Sequence, residues 1–335
     1  MTSTVPSRLR TWSVTDAVRR KPTEYEVVTR RFHYHFGRRP APFDLDPDSP
    51  INRWYLRHRE GSPLAAPDWE GFQDPAQLNY RRYIAAQHDR ETYAEGVVDH
   101  FEELDHDAHL DPAWVAVLGR LYVPARFALH VLQLAGLYVG QLAPSAAVAN
   151  ASYFQAADEL RAVQWIAYRA VALATVHGTE IADAGLARRR WEDDAAWQPA
   201  RETLERLLIA YDWGEAFTAL NLVVKPALDA LFLDRLAALA EANGDDLTAQ
   251  LLHEARRDGE RSREWSTALA RYAIDARPEN RAVLAGWEQA WLPRAEAAVA
   301  GLAPLFAEAP VPAEPAGVAD AVRRSLAGLH TDWAG

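Results

Sequence analysis

Two metal ions held by carboxylates inside a helical bundle take six protein ligands: one Glu from each of two helices, and Glu-x-x-His from each of two others. Residues three apart share a helix face, so the Glu and His of that motif reach the metals together. Two stretches come close to it. Asp158-Glu159-Leu160-Arg161-Ala162 places alanine three residues after Glu159, and Glu215-Ala216-Phe217-Thr218 places threonine three residues after Glu215. Neither has the imidazole. Alanine has no donor atom, and a neutral threonine hydroxyl is a poor iron ligand, so Glu159, Ala162, Glu215 and Thr218 read as ligand-like positions that no longer bind metal. A carboxylate left on a buried face needs a cation or a proton. Arg161, Arg169, Arg201 and Lys225 are the candidate partners.

One literal match exists, Glu103-Leu104-Asp105-His106, in an acidic stretch that also holds His100 and His109. It lies at the polar end of a helix with no second copy, so it reads as a solvated helix end rather than a metal site. Upstream, Gln87, Glu91 and Glu95 recur on one side of a helix. His130 and His177 fit hydrogen-bonded helix residues, and His33 and His35 alternate with aromatics as contacts. The glycine-rich nucleotide loops and the Gly-x-Ser-x-Gly elbow are absent. Asn150-Ala151-Ser152 matches a glycosylation acceptor, but inside a predicted helix it reads as chance.

Composition narrows the classes further. With no Cys, disulfides, thiolate metal sites and cysteine nucleophiles are excluded. A net charge of -11 disfavours general binding to nucleic acid, which needs a basic footprint. The N-terminal residues show no apolar leader. The most apolar stretches, Phe127 to Leu142 and Ala219 to Leu233, are interrupted by polar residues, so no membrane span is expected. A cytoplasmic chain fits. Twelve Trp and twelve Tyr among 335 residues suit a large core or an extended subunit interface.

The elements that must position these residues are helical. Residues 1–74 are broken by many prolines yet rich in aromatics, which predicts an extended arm that buries its rings on another surface. Phe32 to Phe36 is its one strand-like run. Residues 75–305 predict a helical bundle with accessory helices. Its four core helices fall at about 77–103, 125–142, 146–176 and 201–232, with Asp74 as the first cap, breaks at Pro124 and Pro293, a kink at Pro226 and a charged linker from Thr179 to Pro199. Residues 306–335 predict a flexible tail. The fold class is all-α.

In chain order, Arg10-Thr11-Trp12-Ser13, Arg20-Lys21-Pro22-Thr23-Glu24-Tyr25-Glu26, Gln141-Leu142-Ala143-Pro144, Ala157-Asp158-Glu159-Leu160-Arg161, Tyr211-Asp212-Trp213-Gly214-Glu215-Ala216-Phe217, Asn221-Leu222-Val223-Val224-Lys225-Pro226 and Arg263-Glu264-Trp265-Ser266 form a distinctive set. On these the chain resembles the hydroxylase beta subunit of bacterial multicomponent diiron monooxygenases, nearest the toluene/aromatic and isoprene/alkene group. That resemblance implies a ferritin-like bundle with additional C-terminal helices and no cofactor or catalytic residue of its own. It implies a diiron centre in a partner alpha subunit, which inserts one oxygen atom from O2 into a hydrocarbon. It further implies an alpha2-beta2-gamma2 assembly, an effector protein, and a Rieske ferredoxin and reductase that carry NADH, FAD and Fe-S centres. Trp12, Tyr25, Trp54, Tyr55, Trp213 and Trp265 are the expected interface or core anchors. An independent ferritin-like metal protein and a purely structural helical scaffold are the alternative readings.

Overall fold

Two start signals set the central helix pair. Asp111 accepts from the backbone N–H of Ala113 and precedes Pro112 at the first helical position, opening α4 (Pro112–Leu142). Ser145 accepts from Val148 N–H and opens α5 (Ala146–His177), which closes at Gly178 with φ +94°. The computed structural model describes residues 23–29 and 48–334, and among these there is no strand. In chain order the other helices are α1 (Glu24–Thr29), α2 (Pro50–Tyr55), α3 (Tyr80–Glu103), α6 (Ala184–Asp193), α7 (Gln198–Leu207), α8 (Trp213–Ala242), α9 (Asp246–Ala276), α10 (Asn280–Leu302) and α11 (Pro315–Ala334). Helices α3, α5, α8 and α9 enclose the polar centre described below, while α4 packs along α5 and α10 along α7 and α8.

Pro124 and Pro293 behave differently from expectation. α4 runs unbroken through Pro124, which is buried. Proline has no N–H to offer the carbonyl one turn back, which is that of Arg120. The indole of Trp197 donates to that carbonyl at 2.9 Å instead. α10 likewise passes through Pro293. In α8, two π-helical stretches, Thr218–Val224 and Ala230–Arg235, flank the single α-turn Lys225–Asp229, and Pro226 opens that turn. The helix is buried on all sides here. The first cap also differs: Asn79, not Asp74, accepts from Arg82 N–H, while Asp74 closes a turn before it. The expected 201–232 helix is two helices, separated at Asp212, which caps α8. The expected charged linker contains α6.

α4 and α8 are each long and apolar enough to cross a membrane by length and composition alone. Of their most apolar windows, however, 61% and 89% are buried inside the protein. The protein's own helices supply the apolar cover.

Within the expected arm, residues 62–72 form a strap laid on the chain's own bundle. Ser62 Oγ donates to Asp212 at 2.7 Å, the Asn280 amide donates to the carbonyl of Ala65 at 2.8 Å, and Leu64 and Phe72 are buried. Leu64 lies so close to α8 that a Cβ on Gly214 would sit 2.8 Å from it. The expected flexible tail is also corrected. α11 buries Val318, Val322, Leu326, Leu329 and Trp333, a stripe of near-helical period docked on α9 and α10.

Candidate functional site

The centre of the bundle is charged. Glu159 on α5 lies 2.6 Å from Lys225 Nζ on α8, and Lys225 lies 3.0 Å from Asp229 one turn on. Glu159 and Lys225 are buried, and the Asp229 side chain is 14% exposed. Asp229 can reach in because its neighbour on α9 is Gly259; a Cβ there would stand 3.0 Å from Asp229 Oδ2. Beside this triad, Asp158 accepts from Tyr83 Oη and Gln87 Nε2 of α3, both at 2.8 Å, and pairs with Arg261 of α9. Arg90 of α3 bridges Glu254, at 2.5 Å, and Asp258. Arg161 reaches from α5 to Glu91 at 2.8 Å and Asp258 at 3.3 Å. A cavity of about 60 Å³ lies against the triad.

The electrostatics follow from burial. Three positively charged side chains of α3, α5 and α9 face a larger set of carboxylates, and one ammonium faces two. Burial pushes the Glu159 carboxyl up to about 7; Lys225 opposes this and Asp229 reinforces it. Burial, then Asp258, raises Asp158 to about 7 against the pull of Arg261. Burial raises Asp229 as well. Burial works against the Lys225 ammonium, but Asp229 and Glu159 outweigh it and raise its pKa.

These residues do not fit a diiron centre. Ala162 lines the cavity without a donor. The Thr218 hydroxyl donates to the carbonyl of Gly214 at 2.7 Å. The place between Glu159 and Asp229 is taken by Lys225. Nor does Glu215 join Glu159: it is ten residues from Lys225 along α8, roughly 15 Å at the helical rise. It accepts instead from Trp291 Nε1 at 3.1 Å. The two are therefore not paired with each other. Among the described residues no group of three or more His, Asp or Glu is arranged to hold a metal.

Of the candidate cations, Lys225 and Arg161 belong to the centre. Arg201 pairs with Glu205 on the surface. Arg169 anchors a second buried cluster, pairing with Asp107 and Asp245 at 2.5 and 3.1 Å. Asp245 also accepts from Trp114 Nε1 and from Thr248 N–H, both at 3.0 Å. Burial opposes its charge, but His106, Arg169 and Thr248 outweigh burial and hold its pKa well below the carboxylate range. His106, of the literal Glu103–His106 match, turns toward Asp245 at 3.3 Å, while Glu103 is exposed. Glu91 is engaged by Arg161, and Gln87 reaches Asp158 and Asp258. Glu95 lines an open groove with Trp165 and Tyr168. His130 meets Gln133, and His177 donates to Asp107 O.

The aromatic anchors divide. Tyr25, Trp213 and Trp265 are 4%, 1% and 2% exposed, so they are core residues and not available to a partner. Trp265 Nε1 donates to Gln155 Oε1, which also accepts from Asn221, in a polar knot joining α5, α8 and α9. Trp54 and Tyr55 are half-buried on α2, with Trp54 set edge-on to Tyr211. Trp12, His33, His35 and the Phe32 to Phe36 run lie outside the described residues. Sequence reasoning missed Asp229, Glu254, Asp258, Arg90 and Arg261. The signal was there: Glu254, Asp258 and Ser262 recur every four residues on an otherwise apolar face of α9.

Comparison with known proteins gives one family. The methane/phenol/alkene hydroxylase family model matches residues 54–277. The chain is 38% identical to the beta subunit of the hydroxylase component of the toluene-4-monooxygenase system of Ectopseudomonas mendocina, over 91% of this chain and 93% of that one. It is 28% identical to the hydroxylase small subunit of propane 2-monooxygenase of Gordonia sp. (strain TY-5), over 58% of this chain and 54% of the relative. Its fold matches a chain of toluene 4-monooxygenase, solved with toluene in the resting active site, with a TM-score of 0.82 and 38% identity over 91% of this chain and 99% of that one. The buried carboxylates neutralised by Lys and Arg are thus carried on a shared scaffold, and the chain belongs to the methane/phenol/alkene hydroxylase family, as a hydroxylase beta subunit of a multicomponent monooxygenase.

Proposed function

We propose that this chain supports a diiron alpha subunit in an alpha2-beta2-gamma2 hydroxylase of the cytoplasm and carries no iron itself. The observation that carries the reading is the filling of the bundle centre: Lys225 sits between Glu159 and Asp229, where a bridging metal would need to be. Its contribution is mechanical. A rigid neighbour fixes the partner's helices, and misplacement of reacting groups by an ångström damages chemistry. The alpha subunit would insert one oxygen atom from O2 into an aromatic or alkene hydrocarbon, a class favoured by the 38% identity to a toluene-4-monooxygenase subunit. An effector protein would regulate the assembly. NADH would supply electrons through an FAD and Fe-S reductase and a Rieske ferredoxin. Trp54 and Tyr55, half-buried beside Tyr211, are the remaining aromatic candidates for a partner contact.

The test is to purify the chain together with the products of its neighbouring genes, then measure mass and iron for each separated subunit. Iron confined to a larger partner is the expected result. Stoichiometric iron in this chain would overturn the reading and restore an independent metal protein. A chain that purifies without partners would leave a helical scaffold.

A further inference from the structure

The centre of the bundle has carboxylates from three helices, which is the donor set that hard divalent ions favour. Each is engaged by a positively charged side chain of the chain itself. Arg90, Arg161 and Arg261 hold Glu254, Asp258 and Asp158. Lys225 alone holds Glu159 and Asp229, at 2.6 and 3.0 Å, and its side chain is 6% exposed. One ammonium against two carboxylates leaves an excess of negative charge that a divalent ion would balance. The adjoining cavity of about 60 Å³ has room for a water or two to complete a coordination shell.

We propose that Lys225 is a tethered substitute for a metal ion, whose ammonium, bound between Glu159 and Asp229, excludes divalent cations from the bundle. The role belongs to this chain alone and does not depend on the composition of the assembly. Two features support it. The lysine is placed by the one α-turn between two π-helical stretches of α8, so that Lys225 and Asp229 face Glu159 together. Gly259 leaves the space into which Asp229 leans.

Full-length Lys225→Met, wild type and Lys225→Met/Glu159→Gln are dialysed against Mn2+ and counted for bound metal, with Tm measured with and without Mn2+. If the chain is purified within its assembly, the reading is the excess over the wild-type assembly. The single variant is expected to take up one Mn2+ per chain, at least tenfold more tightly than wild type, and to gain several degrees in Tm with the ion. The double variant should lose most of that gain. Where Lys225→Met does not fold alone, it is refolded from urea with and without Mn2+, and recovery only with the ion is the expected result. A folded single variant that takes no additional Mn2+, a failure of Mn2+ to restore folding, or wild type that binds the ion as tightly would each overturn the proposal.

Discussion

Glu159→Gln should make this protein less sensitive to pH without weakening it at neutrality. In the wild type the triad of Lys225, Glu159 and Asp229 holds one carboxylate too many, and burial raises Glu159 from 4.5 to about 7. The folded state therefore binds a proton that the unfolded chain has already released. Between pH 4.5 and 7 the folded form carries more protons, so stability falls as pH rises through this window and levels off above it. One proton sets the limiting slope at about 1.4 kcal/mol per pH unit. Glutamine mimics the protonated acid, keeps a polar contact for Lys225 and leaves the ammonium balanced by Asp229 alone. Urea unfolding of both proteins from pH 4.5 to 8 measures the difference. The variant should lose up to about 1.4 kcal/mol per pH unit of that slope and be no less stable than wild type at pH 7. If it is instead weaker by about 3–5 kcal/mol at every pH, Glu159 was a fully ionised half of a needed buried pair, and the excess-charge argument is wrong.

Four other outcomes test the packing. Trp197→Phe removes the donor to the Arg120 carbonyl exposed by Pro124, and should cost about 1–3 kcal/mol in urea unfolding. Gly214→Ala drives a methyl into Leu64 and should cost about 1–3 kcal/mol. It should also make the strap near Leu64 the first site cut by a protease; uniform protection would show that the strap is not held there. Trp333→Ala should cost about 3–5 kcal/mol, since the ring is 2% exposed, whereas a frayed tail would show no change. Asp245→Asn should flatten acid unfolding below pH 4: a carboxylate held below its usual range stabilises the fold above its unfolded pKa of 3.8 and loses that contribution as pH falls through its folded pKa.

The bundle was legible where period and capping agree. Ser145 to His177 has both, and α5 spans nearly those residues. The errors share a cause: a local rule that a tertiary partner overrides. Proline argued for a break at Pro124, but the rule assumes that the carbonyl one turn back stays unbonded, and Trp197 lies 73 residues away. The C-terminal stripe of Val318, Val322, Leu326 and Leu329 carries a helical period, which the Ala, Pro and Glu content around it obscured. α8 was the hardest. It is apolar on all sides, and π-helical turns shift the register, so no 3.6-residue count could say that Lys225 rather than Glu215 faces Glu159.

A bundle that buries carboxylates on three helices must neutralise them, because an uncompensated buried charge costs more than most single contacts supply. A metal neutralises two or more at once and ties helices together. Here Lys225 and the three arginines make such ties by ion pairs, from α3 to α9, α5 to α8 and α5 to α9. Such ties are fixed in geometry and indifferent to metal supply or redox state.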